Sequence, residues 1–64
     1  MKTEKEVEEF YFMAINISNL CYKKYCLSLT KVDFNIYSTW KRRAHTLGYV
    51  LEYTYEKIEE DFKK

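Results

Sequence analysis

The segment Leu29-Thr30-Lys31-Val32-Asp33-Phe34 states where one helix must begin. Thr30 has the profile of an N-cap, and Asp33 follows three residues later in an Asp variant of the capping box. Leu29 and Phe34 fall at the N′ and N4 positions, where two apolar side chains staple the chain around such a cap. A helix is therefore expected from residue 31, and whatever precedes it is a separate element packed against it.

Other punctuation is sparse. Pro is absent and Gly occurs once, at Gly48. An all-β fold of this length needs several tight turns, and these two residues supply most of them. The expected fold class is all-α. From Glu6 to Tyr25 the apolar positions Val7, Phe10, Ala14, Ile17, Cys21 and Tyr25 recur at steps of three or four, with Met13 and Leu20 widening the stripe. Thr3 followed by Glu6 is a second candidate capping box. Helix 1 is expected over about 4–27, with a turn at about 28–30.

From residue 31 the stripe runs through Ile36 or Tyr37, Trp40, Ala44, Leu47, Leu51, Tyr55, Ile58 and Phe62. The spacing predicts one long helix 2 over about 31–62, weakened or broken near Gly48, since Gly costs about 1 kcal/mol against Ala inside a helix. The competing reading ends the helix at Leu47, takes Gly48 as its C′ residue, and makes Tyr49–Tyr55 a strand rich in aromatic and β-branched residues. A short three-helix unit lies between the two. Leu47, Leu51, Ile58 and Phe62 stay in phase, which favours the helix. The expectation is a single small domain over 1–64, a helical hairpin.

A chain of 64 residues buries only about 60% of its unfolded surface. Yet this one carries seven Tyr, four Phe and one Trp, more large rings than a core of that size encloses. Tyr and Trp suit an interface, because each joins an apolar body to a polar tip. The broad apolar faces would be covered by a second copy, giving a homodimeric four-helix bundle. Charge supports that expectation. The net charge is only +1, but acids (Glu4, Glu6, Glu8, Glu9; Glu52, Glu56, Glu59, Glu60, Asp61) occupy both ends, and cations (Lys23, Lys24, Lys31, Lys41, Arg42, Arg43) occupy the middle. Antiparallel hairpins would set basic turn ends against acidic tails.

Committed chemistry is missing. A nucleophile needs a positioned base, and the single His, His45, sits beside Arg42 and Arg43, where it reads as a solvated or interface residue. The carboxylate runs are ordinary solvated helix ends. A phosphate loop lacks its glycines. Cys21 and Cys26, five apart, diverge by about 140° around a helix and read as small half-apolar residues in a reducing compartment. No catalytic, metal or cofactor site is expected. The opening residues are charged and mixed rather than a secretory signal, and the longest apolar run, Phe10 to Ile15, is far too short to span a bilayer. The expected location is the cytoplasm, without a membrane partner.

What remains is binding. Tyr37, Trp40, Lys41, Arg42 and Arg43 on helix 2, with Tyr11 and Tyr22 on helix 1, are the candidate partner-binding residues, aromatic and cationic anchors within a charged rim. The expected function is that of a small non-catalytic regulator or inhibitor that binds a larger protein stoichiometrically. Small chains rich in Lys, Glu, Tyr and Asn, without catalytic residues, are typical of phages and mobile elements, which use them in that way. The alternative is a nucleic-acid binder. Ser38 and Thr39 followed by Lys41, Arg42 and Arg43 have the texture of a recognition helix, and a strand after Gly48 would make the whole a winged helix-turn-helix. A cluster of phosphate contacts at the turn end, reading RNA shape, is a third form of the same idea. The near-neutral charge weighs against both.

Overall fold

The computed structural model describes residues 3–63, which form three helices: α1 (Glu4–Ser28), α2 (Lys31–Val50) and α3 (Tyr55–Phe62). Residues 1, 2 and 64 of the expected 1–64 domain lie outside the described residues. Each helix starts on a threonine. The hydroxyls of Thr3, Thr30 and Thr54 accept from the backbone N–H groups of Glu6, Asp33 and Lys57 at 3.2–3.3 Å. Each thus satisfies one of the donors that a helix leaves unpaired at its start.

The turn between α1 and α2 keeps the expected cap but closes it differently. Leu29 ends α1 in the left-handed region (φ 54°), its N–H donating to the Tyr25 carbonyl at 2.7 Å. The Asp33 carboxylate does not reach back to the Thr30 N–H. It accepts instead from the Ser28 hydroxyl, while the Thr30 N–H donates to Ser28 Oγ at 3.4 Å. Leu29 and Phe34 line one depression with Tyr25, whose ring lies 5.3 Å from that of Phe34.

The single long second helix to residue 62 does not form. After Val50 the Glu52 N–H donates to the Tyr49 carbonyl and the Tyr53 N–H to the Gly48 carbonyl, at 3.0 and 2.9 Å. With Glu52 in the left-handed region (φ 63°), this is the Schellman arrangement that closes a helix. Thr54 then starts α3. Nor is Gly48 the breaker: it lies inside α2 and is buried. No strand covers residues 49–55, so the winged alternative lacks its wing.

α1 and α2 form an antiparallel hairpin, and α3 folds back over the half of it that lies away from the turn. The core is Tyr11, Ala14, Ile15, Ala44 and Ile58, flanked by Trp40, Leu47, Leu51, Tyr53 and Phe62. Gly48 sets how closely α3 approaches. A Cβ there would stand 2.6 Å from Ile58 Cδ1 and 3.1 Å from Tyr11 Cε1. Two polar contacts reinforce the seat of α3. The Tyr11 hydroxyl donates to the buried Asp61 carboxylate at 2.7 Å, and Asn19 Nδ2 donates to the Phe62 carbonyl at 3.2 Å. The molecule measures 37 × 24 × 15 Å. With α3 on one face of the hairpin, the other face stays open, and Phe10 and Met13 are exposed there.

Candidate interaction surface

That open face carries a groove of about 520 Å³ between α1 and α2, lined by Val7, Phe10, Met13 and Ala14 on one side and Trp40, Arg42, Arg43, Thr46 and Leu47 on the other. Trp40 is half-buried, packed against the core from this side. The Arg43 guanidinium lies over its indole, 4.8 Å from the ring centre, a cation–π arrangement that holds a charge beside an apolar surface. Phe10 and Met13 are exposed along the α1 wall.

The seven expected anchors do not share one surface. Tyr11 leaves it altogether: at 0% exposure its ring is core, edge-on to Phe12 and Tyr53 at 5.0 and 5.3 Å. Burial and the Asp61 carboxylate raise its phenol well above the usual tyrosine range. Trp40 and Arg43 lie at the groove. Tyr22 and Tyr37 meet nearer the turn, rings 5.2 Å apart, and a hydrogen bond to the Cys26 thiol raises the Tyr22 phenol above its ordinary value.

Lys41 turns the opposite way, towards α3. Its ammonium lies 5.8 Å and 5.6 Å from the ring centres of Tyr37 and Phe62 and 3.8 Å from the Glu59 carboxylate. Burial presses its pKa down, but the Tyr37 hydroxyl and the Glu59 charge outweigh that and leave it raised. Arg42 is exposed between the two sides. Of the three consecutive cations, Arg42 and Arg43 thus share the groove while Lys41 is engaged on the α3 side. Thr39 donates its hydroxyl to the Asn35 carbonyl at 2.9 Å, its own helix backbone. Among the residues of the recognition-helix reading, therefore, Lys41 and Thr39 are already engaged within the fold.

His45 belongs to the α2–α3 contact. Nε2 stands 2.9 Å from Glu59 Oε1, and the ring stacks on Tyr55 and Phe62 at 5.4 and 5.7 Å. Among the described residues no Ser, Thr or Cys side chain hydrogen-bonds that ring, so the His–Glu pair is joined to no nucleophile of the kind acyl or group transfer uses. No three His, Cys, Asp or Glu side chains among them converge as a metal site would require, and Cys21 and Cys26 are free thiols. No helix there is long and apolar enough to cross a membrane.

Sequence reasoning did not name Phe10 and Met13 among the partner-binding residues, nor Glu59 as the partner of Lys41 and His45. The two apolar positions were visible in the α1 stripe, but no anchor was expected there. Glu59 carried no signal, since its partners lie on another helix. No family profile, curated protein or solved structure matches the chain.

Proposed function

We propose that this chain is a non-catalytic interaction protein, a regulator or inhibitor that binds a larger protein stoichiometrically through the face of the α1–α2 hairpin turned away from α3. The observation that carries this reading is the groove in which Trp40, under the Arg43 guanidinium, faces Phe10 and Met13. An exposed apolar patch with an aromatic and an arginine at its centre and charges around it has the make-up of a protein-binding hot spot. The loss of Lys41 to Glu59 and Phe62, which leaves two cations at a mainly apolar groove, favours a protein partner over a phosphate backbone, because phosphate binding gains from every cation that points the same way.

The test uses the tagged chain as bait in nuclease-treated and untreated lysate, washed at low and high salt. The expected result is one protein retained near stoichiometry through nuclease and salt. It is lost in Trp40→Ala and reduced in Arg42→Ala with Arg43→Ala, while both variants keep their helical circular dichroism. Nucleic acid recovered only at low salt, with a salt slope flattened by the arginine pair, would overturn the reading.

A further inference from the structure

We propose that α1 pairs antiparallel with α1 of a second copy of this chain, along the line Glu6, Phe10, Met13, Ile17, Leu20 and Lys24. These positions are separated by four, three, four, three and four residues. That is the alternation of a heptad seam, which keeps one side of a helix facing a partner helix. Glu6 and Lys24 are about five turns apart and so lie on the same side of the cylinder.

α2 borders that side only across the groove at Phe10 and Met13. α3 is seated on Tyr11 and Asn19 through Asp61 and Phe62, and α2 meets Tyr22 and Tyr25 through Tyr37 and Phe34. The seam stays largely open to solvent: Phe10, Met13 and Leu20 are 39%, 46% and 65% exposed.

Direction follows from the order of the residues. The line is palindromic about the height of Ile15. Reversing a second α1 sets Phe10 opposite Leu20, Met13 opposite Ile17 and Glu6 opposite Lys24, each twice. The four central layers are then apolar on both sides, and both ends join a carboxylate to an ammonium. Parallel pairing would instead oppose Glu6 to Glu6 and Lys24 to Lys24. The reversed pair also closes on itself about a two-fold axis, leaving no unmatched surface to propagate, and its helix dipoles oppose. The seam shares Phe10 and Met13 with the groove and leaves Trp40, Arg42 and Arg43, on the α2 wall, outside it. The inference rests on the proposed function only in treating this face as an interface.

Sedimentation equilibrium of the full chain, across roughly 1 µM to 1 mM, tests it. The expected result is a mass rising to twice the 7.9 kDa of one chain. Met13→Glu, which would oppose a charge to Ile17, is expected to shift the dissociation constant at least about tenfold with helicity intact. Glu6→Lys alone and Lys24→Glu alone each weaken the dimer about tenfold, and the two together restore it. A monomer throughout, a dimer indifferent to Met13→Glu, or a double exchange no tighter than the single ones would overturn the seam. Retention of a larger protein by a monomeric Leu20→Glu chain, whose substitution lies on the seam but outside the groove, though not by Trp40→Ala, would show that the partner site does not need the dimer. Dimerisation of the parent chain, with no larger protein retained from lysate, would sink the proposed function and leave the seam standing.

Discussion

Gly48 is the position where one methyl group decides how α3 sits. Alanine is the better helix former by about 1 kcal/mol, but its Cβ would stand 2.6 and 2.8 Å from the outer atoms of Ile58, a side chain with no exposed surface to retreat to. Overpacking of that kind costs about 1–3 kcal/mol. Gly48→Ala is therefore expected to lower the urea midpoint, and Ile58→Val added to it to recover part of the loss. Additive losses in that pair would show that the two side chains do not meet. On the other side of the same contact, Tyr11 is buried against Asp61, and its phenol is pushed up from an ordinary value of 10.0. A folded-state pKa above the unfolded one contributes stability that is complete below about pH 10 and is lost as pH rises towards the folded value. Tyr11→Phe is expected to cost about 1–2 kcal/mol at neutral pH, because Asp61 loses a buried donor. The gap between the variant and the parent should then narrow above pH 10. Urea titrations of both proteins from neutral to alkaline pH measure this, and a gap constant with pH would refute it.

At the scale of elements, the legible features were those written in neighbouring residues. Thr3 with Glu6 and Thr30 with Asp33 marked two helix starts, and both threonines cap as their chemistry requires. The third start was also present, at Thr54, but Lys57 stands where a capping box has an acid. The apolar spacing ran on from Leu47 and Leu51 to Ile58 and Phe62, because both helices turn those residues to the same core. The break itself is carried by Glu52 in the left-handed region, where glycine is the usual resident, so no glycine announced it. Gly48, which did look like a terminator, owes its place to Ile58 and Tyr11, distant in sequence. The same blindness to α3 explains the reading of α1. Its sequence offers one broad apolar face, from Val7, Phe10 and Ala14 to Ile17, Cys21 and Tyr25 with Met13 and Leu20 widening it, and does not say which edge is interior. The structure buries the edge at Tyr11, Ile15 and Ser18, where Tyr11 donates to Asp61 of α3. Which face of a helix is interior depends on its neighbours, and a pattern within one helix does not contain them.

For the whole molecule, the placement of α3 divides the hairpin into two halves of unequal support. The half beneath α3 holds Tyr11, Ala14, Ile15, Ala44 and Ile58, all buried, together with the Tyr11–Asp61 hydrogen bond. The turn half is held by ring contacts, Tyr22 on Tyr37 and Tyr25 on Phe34, and by the capped turn at Thr30. Leu27, Leu29 and Val32 remain exposed there. Local opening follows buried apolar contact and hydrogen bonding, so stability should differ along one and the same pair of helices. At low micromolar concentration the backbone amides of residues 14–18 and 44–48 are expected to exchange slowest, in step with global unfolding. Those of residues 24–28 and 34–38 should exchange through smaller openings, about ten- to a hundredfold faster. Hydrogen exchange read by residue in a mild urea series measures the difference. Acid should widen it, because the Ser28 hydroxyl holds the Asp33 carboxyl below its ordinary range. A lowered folded pKa contributes stability that is lost as pH falls through it, and that loss falls on the turn. Equal protection in both halves would mean that the hairpin opens only as a unit, with the rings at its turn packed as firmly as the core beneath α3.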